Sequence, residues 1–159
     1  MSEFSAIPCG HHTVTPYLIV KGAEEAIAFY KKAFGATENM RVDGPDGGIM
    51  HAEIKIGDSL LYLTEEAPAY GNLGPLSIGG TPVSLHVYSE NVAAAFDKAV
   101  GAGASVIMPL MDMFWGDRFG KVSDPFGHHW SLAQHIEDVS PEQMAERSAA
   151  AMAAMCPKE

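Results

Sequence analysis

Two stretches of this chain run through the same order of segments at an offset of about 68 positions, and an internal repeat constrains architecture before any single residue does. Residues 14–20 are rich in β-formers, 24–34 have helical spacing, 49–56 alternate, and 59–64 form a short apolar run. These four segments give β-α-β-β, which beside the second half reads as β-α-β-β-β. Residues 83–88, 92–100, 105–108, 119–123 and 129–133 then repeat the order of strand, helix and three strands. Ile27, Tyr30 and Phe34 share one face of the first helix, and Val92, Ala95, Phe96, Ala99 and Val100 share one face of the second, the stripe a helix needs to lie on a sheet. Gly35-Ala36-Thr37 answers Gly103-Ala104-Ser105, Phe29 and Lys31 answer Phe96 and Lys98, and Leu61-Tyr62-Leu63 answers Trp130-Ser131-Leu132.

Turn residues agree with these periods. Gly35 stops the first helix, residues 43–48 form a Gly/Asp/Pro cluster, and Gly57 with Asp58 closes a hairpin. The expected organisation is an N-terminal arm over 1–12, a first module over 13–65, a linker over 66–80, a second module over 81–135 and a helical tail over 136–159. The linker carries glycines together with Pro68 and Pro75, and is expected to run over the surface. In the tail, Ser140-Pro141-Glu142-Gln143 supplies an N-cap, a first-turn proline and a capping-box glutamine, opening an Ala- and Met-rich helix to about residue 155. Met144, Ser148, Met152 and Met155 fall near one stripe, expected to dock on its own domain or on a partner subunit.

The chain's 159 residues, 47% hydrophobic and 19% charged, suit one domain or two fused small ones. A net charge of -10 argues against nucleic acid and anionic membranes as partners and favours cationic or neutral small molecules. No apolar run approaches the roughly 20 residues of a spanning helix, and the N-terminus lacks a secretory pattern, so a cytoplasmic location is expected. The two cysteines, Cys9 and Cys156, lie near the chain ends and are expected as free thiols, with a bridge between them as the alternative.

Paired β-α-β-β-β modules with Asp124-Pro125-Phe126-Gly127 before the last strand resemble the vicinal-oxygen-chelate superfamily of glyoxalases, extradiol dioxygenases, fosfomycin-resistance enzymes and bleomycin-binding proteins. Phe114-Trp115, the run 119–124 and Trp130 are similar to its PhnB-like branch. The resemblance implies an α+β fold, two tandem βαβββ modules forming facing curved mixed sheets around a cavity, plus a C-terminal helix. On that arrangement Leu18, Val20, Val83, Leu85, Val87, Trp130 and Leu132 face helices, whereas Thr15, Tyr17, Ser84, His86, Tyr88, His129 and Ser131 point inward.

Metal-dependent relatives place His, Gln or Glu at four inward positions, one on each of the first, fourth, fifth and eighth strands. Carried over one by one, these are Thr15, Tyr62, Ser84 and Ser131, whose neutral hydroxyls are poor ligands for Zn, Ni or Fe. No cofactor is therefore expected, and a Lewis-acid mechanism loses its stabilising charge. The expectation is a small-molecule-binding homodimer, with Tyr17, Tyr62, Tyr88, Phe114 and Trp115 lining an aromatic pocket and the tail helix offering a dimer surface.

Two alternatives stay open. His51 and Glu53 share a face of the third strand and, with His86 or His129, are the donors for a displaced metal site in a lyase, isomerase or dioxygenase. His51 with Glu53, or Asp117 beside Arg118, are also candidate proton-transfer pairs, against a plainer role in polar contacts. His11 and His12 belong to the arm, which is expected to be mobile. No Gly-x-Ser-x-Gly elbow is present to support nucleophilic catalysis.

Overall fold

The computed structural model describes residues 4–155, which divide into two units. The first comprises residues up to Pro82 together with Pro125–His128, and the second comprises Val83–Asp124 and the chain from His129.

In the first unit, β1 (Tyr17–Val20), α1 (Ala23–Phe34), β2 (Thr37–Asp43), β3 (Ile49–Ile56) and β4 (Ser59–Glu65) build a four-stranded mixed sheet of order β1-β4-β3-β2. The β1–β4 pair is parallel and the others are antiparallel. Strand parity sorts the residues: Leu18, Val20, Ala52, Ile54 and Leu63 are buried under α1 with Ala26, Ile27 and Tyr30, leaving the opposite face to Tyr17, His51, Glu53 and Tyr62. Helix α1 has Glu24 and Glu25 in its first turn and Lys31 and Lys32 in its last, matching the helix dipole. Its N-cap, Gly22, offers no side chain. The Glu65 carboxylate replaces one, accepting from the Gly22 and Ala23 N–H groups at 2.8 and 2.7 Å. Phe126, from the returning segment, sets its ring edge-to-face against Phe29 and tilted over Tyr30, while His128 Nε2 donates to the Ile19 carbonyl at 3.0 Å.

The second unit repeats this plan with β5 (Ser84–Tyr88), α3 (Val92–Ala102), β6 (Ser105–Asp112), β7 (Asp117–Ser123) and β8 (His129–His135), in the order β5-β8-β7-β6. Asn91 caps α3, its side chain accepting from the Ala94 N–H at 3.1 Å. Trp130, Leu132, Val122 and Val92 are fully enclosed between helix and sheet. Gly120 permits that contact, since a Cβ there would sit 2.7 Å from the Phe96 ring. The edge strands β2 and β6 both carry register shifts, bulges of the kind that twist an edge away from further pairing. Fold class and duplication are as expected: two βαβββ modules, two mixed sheets and a final helix, α4 (Pro141–Met155).

Several boundaries differ from expectation. The first strand begins at Tyr17 rather than at residue 14, because Pro16 has no N–H for the ladder, and Val14 is 81% exposed. Thr15 is thereby off the strand. Val83 precedes β5 and is exposed, and Val100 is 38% exposed, so neither belongs to its helix-facing set. Strand β2 occupies a stretch to which no period pointed, its composition being that of a polar edge. The linker carries a 3-10 turn, Pro68–Tyr70, and a short helix, α2 (Pro75–Ile78), whose Pro75 is buried rather than on the surface. Helix α4 has its capping box, with Gln143 N–H donating to Ser140 Oγ at 3.2 Å and Ser140 N–H to Gln143 Oε1 at 3.0 Å. None of its residues is fully buried, and Arg147 pairs with Glu137 at 2.6 Å. Cys9 is free and exposed; Cys156 lies outside the described residues. Among the described residues, no helix is long and apolar enough to cross a membrane.

Candidate functional site

Each unit leaves one sheet face uncovered by its helix, and the sequence concentrates polar and aromatic side chains there. In the first unit the parallel register sets Tyr17 opposite Tyr62, and the antiparallel register sets Tyr62 opposite Glu53. Tyr17 hydroxyl and His51 Nδ1 share a hydrogen bond of 2.9 Å. The rings of Tyr17, Tyr62 and His51 meet edge-to-face, with centroids 4.8 Å apart for His51–Tyr62 and 5.5 Å for Tyr17–Tyr62. His11 lies against this group, with Nε2 3.5 Å from Glu53 Oε1. Beside it opens a groove of ≈ 460 Å³ whose walls include Tyr17, Ile19, Met50, Thr64, Tyr70 and Asn72.

In the second unit the equivalent pair is His86 opposite Ser131, with Nδ1 and Oγ 2.7 Å apart. His86 stacks on Phe119 and meets Tyr88 edge-on, while Trp115 stands between Phe114 and Phe119. The polar centre is Asp117, 6% exposed, a carboxylate on which three donors converge. Tyr88 OH and Trp115 Nε1 donate to Oδ2 at 3.2 Å each, and His135 Nδ1 donates to Oδ1 at 2.9 Å. The Asp117 charge holds the Tyr88 hydroxyl above the usual phenol range, with partial desolvation of the hydroxyl and its hydrogen bond to Asp117 adding to it, so Tyr88 stays a donor.

His135 bridges two acids, since its Nε2 donates to Asp138 Oδ1 at 2.9 Å. Both ring nitrogens then act as donors, which describes the imidazolium. Its pKa is raised, first by the hydrogen bond to Asp138 and next by that to Asp117. A raised folded-state value means that this contribution to stability is full below the unfolded histidine pKa of about 6.5 and is lost as pH rises through the folded value. A histidine NMR titration should therefore place the His135 midpoint above that reference, and Asp138→Asn should move it down; an unmoved midpoint would contradict the pairing.

These positions sort the residues singled out in the sequence. The registers bring Tyr17 with Tyr62, His51 and Glu53, and His86 with Ser131; Tyr88, Trp115 and Asp117 meet through hydrogen bonds. Tyr17 rather than Thr15 lies beside Tyr62, and His86 rather than Ser84, which pairs with His129, lies beside Ser131. Asp117 and Arg118 do not pair. As neighbours on β7 they point to opposite faces, and Arg118 makes a two-pronged contact with Asp112 at 2.6 and 3.1 Å. Asp112, His135 and Asp138 were not among the expected residues. The alternation His129, Ser131, Ala133 extends to His135 on the same face, a signal that stopping the strand at residue 133 concealed.

The donor chemistry fits a divalent transition ion poorly. The four corresponding positions as read from sequence are all hydroxyls, and the observed registers substitute one imidazole among three hydroxyls. Among the described residues, no three His, Cys, Asp or Glu side chains form a group able to hold a metal ion.

Two βαβββ repeats, each with a four-stranded mixed sheet and one helix-free polar-aromatic face, define a duplicated-module protein of the vicinal-oxygen-chelate architecture. Residues 10–132 match the Glyoxalase/Bleomycin resistance protein/Dioxygenase superfamily, and the chain belongs to it. It is similar to the uncharacterized protein Rv0887c of Mycobacterium tuberculosis (strain H37Rv), at 44% identity over 134 residues covering 82% of this chain and 79% of that one. Among solved structures, protein PA1353 from Pseudomonas aeruginosa is 28% identical with a TM-score of 0.65, covering 80% of this chain and 100% of its own. A PhnB protein from Bacillus cereus shares the fold at 20% identity and a TM-score of 0.61, covering 77% of this chain and 99% of that one.

Proposed function

We propose that this protein binds a small molecule, without a metal, in the cytoplasm. One observation carries the reading: in both units, aromatic rings and imidazoles surround a carboxylate on the sheet face that no helix covers. Tyr17, Tyr62 and His51 accompany Glu53, and Trp115, Phe119 and Tyr88 accompany Asp117. Rings offer stacking area at low entropic cost, and a few fixed polar groups orient what stacks on them. The net charge of -10 adds long-range attraction for cationic guests. The expected homodimer would use α4, none of whose side chains is fully buried within the chain.

The alternative, a lyase, isomerase or dioxygenase with a displaced site, needs free donors from His51, Glu53, His86 or His129. Among the described residues these side chains do not gather into a group of three able to hold a metal ion, which supports the binding reading. Titration with a panel of cationic aromatic compounds is expected to give saturable quenching of Trp115 fluorescence, abolished in Trp115→Phe. Silence across cationic, neutral and anionic members alike would overturn the proposal. A stoichiometric transition metal lost on His51→Ala or His86→Ala would favour the enzyme instead.

A further inference from the structure

The uncovered face of the first unit already carries a guest from its own chain. Ahead of β1 the arm turns back, with the His11 N–H donating to the Pro8 carbonyl at 3.0 Å, and this lays the His11 ring on the sheet. Nε2 reaches Glu53 Oε1 at 3.5 Å, and the ring stands edge-on to Tyr62 with centroids 6.0 Å apart. The two side chains are only 14% and 16% exposed. Nδ1 meanwhile faces the Cys9 carbonyl at 3.3 Å, so both ring nitrogens look at oxygen atoms. A flat nitrogen heterocycle thus rests against a carboxylate and a tyrosine ring, with Tyr17 and His51 completing the aromatic wall.

Little else fastens the arm. Phe4 is 93% exposed, Ile7 50% and Val14 81%, so the apolar residues on either side of His11 do not anchor it. A single polar contact of 3.5 Å is worth little in water, and a competitor with a permanent positive charge and a larger apolar body displaces it readily. Room for such a body is adjacent. Ile19 and Thr64 sit two residues along β1 and β4 from Tyr17 and Tyr62, about 7 Å away, and both line the groove.

We infer that Glu53, Tyr62 and Tyr17 form a site for an organic ammonium ion on an aromatic or alkyl body, and that His11 is its tethered, displaceable occupant. This rests on the small-molecule reading above and adds two elements to it: the residues that hold the guest's charge, and an arm that must leave before the guest enters. Because the arm's closed state competes with binding, apparent affinity falls in proportion to the fraction of molecules left open.

The test uses the full chain with benzyltrimethylammonium as probe and phenylacetate as an anion of similar size, followed by calorimetry and by the tyrosine ring NMR signals. His11→Ala is expected to bind the cation about three- to tenfold more tightly than the unaltered chain. Glu53→Gln, which keeps the shape and removes the charge, is expected to bind it at least about tenfold more weakly, and phenylacetate is expected to bind neither variant. Unchanged or weaker binding by His11→Ala would overturn the tethered-occupant role while leaving the binding reading intact. Binding indifferent to Glu53→Gln, or a preference for phenylacetate, would overturn the ammonium site. Failure of both probes and of the wider panel would count against the underlying reading itself.

Discussion

Trp130→Ala is expected to lower stability by about 3–5 kcal/mol, the range for emptying a fully enclosed aromatic site, with a fall in Tm of roughly 10 °C. The indole is 1% exposed on the helix-facing side of β8, between Leu85 on β5 and Val122 on β7. It also serves a second purpose, donating Nε1–H to Asp124 Oδ2 at 2.8 Å, and that carboxylate is itself only 4% exposed. Removing the donor from a buried carboxylate is costly in its own right. Trp130→Phe separates the two contributions: it keeps most of the packing and loses the hydrogen bond, for an expected cost of about 2 kcal/mol. Urea unfolding of both variants is the measurement. Equal losses would mean that the hydrogen bond dominates, and no loss in either would remove Trp130 from the core.

The second large effect is expected at Asp117. Asp117→Ala leaves Tyr88 OH, Trp115 Nε1 and His135 Nδ1 without their shared acceptor, a loss of about 2–3 kcal/mol after Tyr88 and His135, both largely exposed, regain water. Asp117→Asn should retain part of this, because one amide oxygen still accepts from Tyr88 and Trp115. Its NH₂ group, however, opposes a protonated His135, so the His135 midpoint should fall as well. Chemical unfolding and the histidine titration together decide the matter. A stable Asp117→Ala variant with an unaltered Trp115 emission spectrum would sink the claim that this carboxylate organises the second unit's open face.

The layered core was legible where apolar residues follow strand parity. Leu18 with Val20, and Trp130 with Leu132, lie enclosed where the pattern puts them, although on β8 Ser131 and Ala133 of the other face are enclosed as well. Strand β2 was illegible for the converse reason: as a bulged edge it buries nothing completely, so its residues show no alternation. The polar constellations depended on register. Asp117 meets His135 because β7 and β8 pair them directly across the ladder, which no spacing along the chain discloses. His11 meets Glu53 because the arm folds back, a local turn without a sequence period. Arg118 looked like Asp117's partner by adjacency, and the pleat sent it to Asp112 instead.

Phe126 reaches the aromatic cluster beside α1 from a position in the chain more than a whole module away, and at 8% exposure it is as enclosed as the residues it joins. The first unit is therefore not one continuous stretch of chain. A fragment cut after Pro82 would carry every strand of the first sheet yet lack the ring that plugs its own interior, so excision at the midpoint of the repeat leaves a hollow beside α1 that only the second half of the chain fills.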